Sequence, residues 1–266
     1  MVRFYLFLFS ILFISSCTED ESKVISTDLS VEAIQHFSLS KAFSESNYLG
    51  NISYQDYFRI SSAELPGCPT IERSLQSRII TLDYSKPLEC TQENNTPRSG
   101  KIILDFTLSN AGSPTWTLTY ADYKLDGIKI VGTRQFRAIT SNETEASFEN
   151  LEIELPKNLS FLIQGKLNHS VSRANLRPFA LSTRGSMEGI NPAGRTFNLV
   201  ITEAKEQFFA CYKQGWFLTQ TGKESLKISR ENDKDLVYTI IHQTSSGCNP
   251  SVVAILPDSR NLQLNP

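Results

Sequence analysis

The chain has 266 residues, of which 40% are hydrophobic, and 26 Lys and Arg against 28 Asp and Glu leave a formal charge of −2. That balance excludes the basic footprint on which nucleic-acid binding depends. Every apolar run after Ile14 is short and interrupted, which excludes a second membrane segment of helical type.

Residues 1–16 have the layout of an export signal. Arg3 supplies a positive start, Phe4 to Ile14 is apolar apart from Ser10, and Ser15-Ser16 lead into Cys17. An apolar stretch of that length is too short to span a bilayer, which takes about 20 residues. Small residues running directly into a cysteine have the form of a bacterial lipobox. Residues 1–16 are therefore expected to be a signal peptide, and Cys17 to be acylated, with palmitate among its chains. Removing the leader leaves 250 residues, enough for one large β domain or two small ones.

Thr18 to Thr27 is polar and acidic and reads as a tether. Ser30 is placed to cap a short helix over Val31 to Phe43, with Ala33, Ile34, Phe37 and Lys41 at helical spacing. Tyr48 to Pro66 is aromatic but irregular and reads as a connector. From Cys68 the period becomes two. Ile102, Leu104, Phe106 and Leu108 share one face; Trp116, Leu118 and Tyr120 share another. Leu151, Ile153 and Leu155 alternate with Glu152 and Glu154, and Phe197, Leu199 and Ile201 alternate with Asn198, Val200 and Thr202. Such alternation predicts half-buried antiparallel strands. Turn signals separate them at residues 110–114, at Asp126-Gly127, at 191–194 and at Gly222-Lys223. The expected class is all-β, with a short N-terminal helix. Its strands form either two consecutive stapled modules (67–165 and 166–266, after an N-terminal part over 17–66) or one extended β domain.

Five cysteines are an odd number, and assigning Cys17 to lipid leaves four. In an exported protein these are expected to form disulfides, and of three connectivities the local one, Cys68 with Cys90 and Cys211 with Cys248, is favoured. None has the close spacing of a zinc site. Two segments echo one another. Ile79 to Tyr84 leads to Cys90, and Leu236 to Ile241 leads to Cys248.

These elements together resemble uncharacterised β-rich lipoproteins of Bacteroidota-type bacteria. The resemblance is carried by Cys68-Pro69-Thr70, Thr81-Leu82-Asp83-Tyr84, Cys90, Arg98-Ser99-Gly100-Lys101-Ile102-Ile103, Asp122-Tyr123 with Asp126-Gly127, Gly132-Thr133, Cys211 and Gly247-Cys248-Asn249. Ile240-Ile241-His242-Gln243 departs from the family pattern. The resemblance implies a β fold and an outer-membrane address, and it brings no activity.

No metalloprotease, phosphate-loop, dinucleotide or nucleophile-elbow motif is present. Ser38-Leu39-Ser40-Lys41 matches the four-residue acylating motif of penicillin-recognising enzymes without its companion motifs. His36, His169 and His242 stand far apart, and Glu152 and Glu154 share one outward face, unlike a glycosidase pair. No catalytic residue, metal or cofactor is inferred. Trp216, Trp116 and Tyr120 are the candidates for stacking on a ligand. The sequence thus predicts a membrane-anchored envelope protein that binds a glycan, a lipid or another envelope protein, with a carrier of hydrophobic ligands and a glycan- or peptide-acting enzyme as alternatives.

Overall fold

The computed structural model describes residues 21–86, 89–109, 112, 114–174, 177–230, 235–245 and 247–265, with the backbone alone at 21–28, 174 and 177. The expected signal peptide and Cys17 lie outside these residues.

Helix α1 spans Glu21–Gly50, far longer than the segment expected from Val31 to Phe43. It takes in the latter part of the expected tether and the start of the expected connector. No proline or glycine interrupts it before Gly50, and either would weaken a helix interior. Short turns follow, α2 (Tyr54–Tyr57) and a 3₁₀ turn (Ser62–Glu64). Ser53 caps α2 by accepting from the Asp56 N–H.

Thirteen strands then form one open sheet in chain order, each antiparallel to the next. They are β1 (Thr70–Ser74), β2 (Ile79–Asp83), β3 (Arg98–Asp105), β4 (Thr115–Leu125), β5 (Ile128–Ala138), β6 (Glu143–Leu155) and β7 (Leu159–Ala174). After them come β8 (Arg177–Ile190), β9 (Thr196–Phe208), α3 (Phe209–Tyr212), β10 (Thr221–Ser229), β11 (Asp235–Gln243), β12 (Ser251–Ile255) and β13 (Asn261–Asn265). The boundary drawn between 165 and 166 falls inside β7, and the sheet continues across it. Asp126 and Gly127 both have positive φ, 52° and 77°, as a tight hairpin of the β4–β5 type requires.

Breaks in register between β3 and β10 curl the sheet, since a bulge adds local twist. One lies at Thr183/Gly185, where Gly185 has φ +126° and an added Cβ would stand 2.3 Å from the Lys166 carbonyl oxygen. The alternating apolar faces turn inward and close on α1, so the core runs along the helix axis. Ala33, Leu39, Phe43 and Leu49 of α1 meet Leu104, Leu118, Phe136, Phe148, Phe161, Leu199, Leu226 and Ile240 of the sheet. Leu108 departs from the face expected for it. It lies beyond the end of β3 and is 74% exposed.

Because the sheet is a meander, its connections alternate between two ends. The N-terminal half of α1 meets the end carrying the β8–β9 and β10–β11 connections, through Glu32 to Arg195 and Arg230. The C-terminal end of α1 meets the other, where Trp116 Nε1 donates to the Gly50 carbonyl at 2.8 Å. Two disulfides, Cys68–Cys90 and Cys211–Cys248, staple connections outside the strands.

Candidate functional site

The candidate residues fall in different places. Trp116 and Tyr120 are buried, with Trp116 stacked between Phe106 and Phe136, so neither offers a ring face to a ligand. Trp216 is half-buried between β9 and β10, and its Nε1 finds no partner among the described residues. Ser38 bonds to its own helix at the Ile34 carbonyl while Lys41 pairs with Asp126 at 2.5 Å, so the Ser-x-x-Lys match forms no dyad. Glu154 pairs with Lys129 across the outer face.

Each histidine is buried and apart from the others. His36 stands edge-on to Phe161 and Phe197, and burial drives its pKa down to about 3 against the opposing pull of Glu224. His169 Nδ1 lies 3.0 Å from Thr183 Oγ1, and burial, then the Arg134 charge, lowers it to about 3 as well. Both are neutral at pH 7.

The feature that sequence reading missed is a ladder of buried polar contacts joining α1 to the sheet. Glu32 takes Arg195 and Arg230, each at 2.7 Å, and the Tyr238 hydroxyl at 2.6 Å. Ser44 accepts from Gln207 and Tyr212 through its carbonyl. Glu45 takes Arg98 at 2.5 Å and the Tyr123 hydroxyl at 2.6 Å. Arg134, with no exposed surface, donates to Ser46 and Asn47 at 2.8 Å each. These partners stand tens to hundreds of residues from α1, and no local spacing announces them.

One rung has the residue types of a catalytic cluster. Lys205 Nζ lies 2.6 Å from both Ser40 Oγ and Glu224 Oε1, and His242 Nε2 lies 3.2 Å from the same oxygen. The direction of the bonds is wrong for catalysis. A lysine base would accept the serine proton, whereas here Lys205 donates to Ser40 and Ser40 donates to Glu224. Burial works against ionisation of Glu224, but the charge of Lys205 and the His242 bond outweigh it and hold its pKa well below the usual carboxylate range. All four side chains lie in the buried interior against α1. The Lys205–Glu224 ion pair joins β9 to β10, and Ser40 ties the helix to it.

Open space lies instead beyond the C-terminal end of α1, in two hollows that share Asn51. The larger, about 600 Å³, is lined by Tyr54, Arg78, Phe106, Ile139 and Thr140. The smaller, about 440 Å³, mixes Tyr48, Ile60, Val171 and Phe209 with Arg173 and Lys213. Asn51 holds the junction by donating to the Asn47 carbonyl at 2.7 Å and accepting from Thr144. Apolar walls with a few polar groups are the general form of a binding cleft. Among the described residues no cluster of three or more His, Cys, Asp or Glu is placed to hold a metal, and no helix is long and apolar enough to cross a membrane.

No protein-family model, no curated protein and no solved structure matches this chain.

Proposed function

We propose that this chain is a lipoprotein of the bacterial outer membrane, acylated at Cys17, which acts by binding and not by catalysis. The observation that carries the reading is the filling of the concave face. Its own helix occupies the trough, pinned to the sheet by Glu32, by Glu45 and by Ser40, the last through Lys205 and Glu224. A carrier would need that volume for its ligand, so the binding surface is assigned to the hollows around Asn51. Cys17 precedes α1 by four residues, and a 30-residue helix is about 45 Å long. The anchor and the hollows therefore stand at opposite ends of α1, which suits display of a binding face away from the membrane.

Two measurements test this. Replacing Cys17 with Ala is expected to move the protein from the membrane to the soluble fraction, since the acyl chains supply the anchor; firm membrane retention would overturn the lipoprotein reading. Native mass spectrometry of residues 18–266, purified without detergent, is expected to give the bare polypeptide mass less four hydrogens for two disulfides. Co-purifying lipid that releases as a discrete mass would replace the display reading with that of a carrier.

A further inference from the structure

The two ends of the sheet differ in chemistry. Connections at the end where α1 begins include Asp126-Gly127, Pro156-Lys157-Asn158, residues 191–195 with Arg195, and 256–260 with Asp258 and Arg260. Every one carries charge, and the exposed large apolar side chains at this end, Ile190 (45%) at the end of β8 and Val31 (45%) and Ile34 (50%) on α1, lie on the elements and not on the connections. At the opposite end, the β1–β2, β3–β4 and β5–β6 connections present Leu75 (74% exposed), Leu108 (74%) and Ile139 (51%). Phe179, 54% exposed, stands just inside the β7–β8 hairpin. The two most exposed large apolar side chains of the described molecule are thus at adjacent hairpin tips.

The polar residues of these tips are of one kind. Residues 75–78, 106–114 and 139–142 contain Ser, Thr, Asn and Gln, a single cation, Arg78, and no carboxylate. Arg173 borders the fourth tip. The nearest carboxylates flank the tips: Asp105 accepts from the Thr107 N–H at 2.8 Å, and Glu143, exposed at the start of β6, accepts from the Thr140 hydroxyl at 3.5 Å. The loop residues themselves carry no acid, and the flanking Asp105 and Glu143 are each engaged by a group of the adjoining tip.

We propose that these hairpin tips seat in the interfacial layer of an anionic lipid bilayer facing the one that holds Cys17. A protein partner is less well matched, because binding energy at protein interfaces concentrates in a contiguous packed cluster. Here each apolar side chain stands singly on its own hairpin, separated from the next by polar residues and by the larger hollow. A fluid interface admits separate wedges without demanding a complementary shape, and its anionic headgroups attract Arg78 and Arg173. The placement on a facing bilayer rests on the proposed acylation of Cys17, at the other end of an axis about 45 Å long; the affinity of the tips for lipid does not.

The test is sedimentation of residues 18–266 with vesicles of phosphatidylcholine alone or mixed with phosphatidylglycerol. The protein is expected to sediment with the mixed vesicles, and more weakly as salt rises. A Leu75→Ser, Leu108→Ser, Phe179→Ser variant is expected to bind at least about tenfold more weakly, because three apolar side chains no longer leave water. Its urea midpoint should be unchanged, since all three are exposed. Val200→Ser with Val237→Ser, on the outer strand faces, should bind as the parent does. Failure of the parent to sediment, or equal loss in both variants, overturns the assignment. In a second arm, full-length acylated protein on one vesicle population is expected to cluster added anionic vesicles, read by light scattering. If the first arm succeeds and no clustering follows, the tips meet their own bilayer and the facing arrangement is overturned. If Cys17 carries no lipid, the first arm still decides the tips.

Discussion

Replacing Glu45 with Gln should destabilise the fold more than almost any other single isosteric change, because it strands a charge. Arg98 reaches Glu45 through Nε at 2.8 and 3.1 Å and through Nη2 at 2.5 Å. Both side chains are almost fully buried, 2% and 1% exposed. The glutamine keeps the volume and one acceptor oxygen, so no cavity forms and the Tyr123 hydroxyl can still donate. What disappears is the negative charge that balances the guanidinium, which stays protonated. Breaking a buried pair from one side costs about 3–5 kcal/mol, and the retained acceptor places this case near about 3 kcal/mol. With a urea m-value of about 3 kcal/mol/M, the midpoint falls by about 1 M. Equilibrium unfolding followed by circular dichroism reads it directly. The double variant Glu45→Leu with Arg98→Met should be more stable than either single change, since it removes both charges at once. A loss below about 1 kcal/mol for Glu45→Gln, or simple additivity in the double variant, would refute the claim that this pair is dry and tightly coupled.

Acid should weaken the protein well before its carboxylates protonate. His36 and His169 have pKa values lowered to about 3 in the fold, against about 6.5 in the unfolded chain, so between those values the unfolded chain binds more protons. Their contribution is complete above pH 6.5 and falls as the pH drops below it. Each is expected to remove about 2 kcal/mol between pH 6.5 and pH 5. Urea midpoints at pH 7.5 and pH 5 check this, and a flat profile counts against burial of the neutral rings. Gly50→Ala should cost about 1–3 kcal/mol by overpacking. Its new Cβ would stand 2.2 Å from Phe136 Cζ, in a ring stacked on Trp116. Trp116 fluorescence should shift, and Phe136→Leu should restore part of the loss; an unperturbed spectrum would mean that the ring has room to move.

The strands were legible because each has one wet face and one dry face. Alternation at Trp116-Leu118-Tyr120 and at Leu151-Ile153-Leu155 is the direct record of that, and the structure buries all six. Leu108 misled because alternation cannot say where a strand ends. The helix was underestimated for a different reason. Inside a curled sheet it has no polar face over its second half, and Ser40, Ser44, Glu45, Ser46 and Asn47 are all buried. A helix enclosed in this way loses the period-3.6 contrast on which sequence reading depends. The disulfide pairs follow locality, because a meander keeps sequence neighbours close. The polar ladder was not legible, since Glu32 meets Tyr238 across 206 residues. The carboxylate-free hairpin tips were visible in the letters, but they acquire meaning only when every second connection is known to lie at one end.

The distances spanned by the ladder dictate an order of assembly. Sheet pairing here is local, and each hairpin can zip soon after its second strand appears. The helix is the exception. It is made first, yet its Glu45 waits for Arg98, its Ser40 for Lys205 and Glu224, and its Glu32 for Arg195 and finally Arg230 and Tyr238, near the end of the chain. Until those partners are made the N-terminal segment keeps polar groups without their final contacts, and docking it is the closing event that converts a string of hairpins into a finished body.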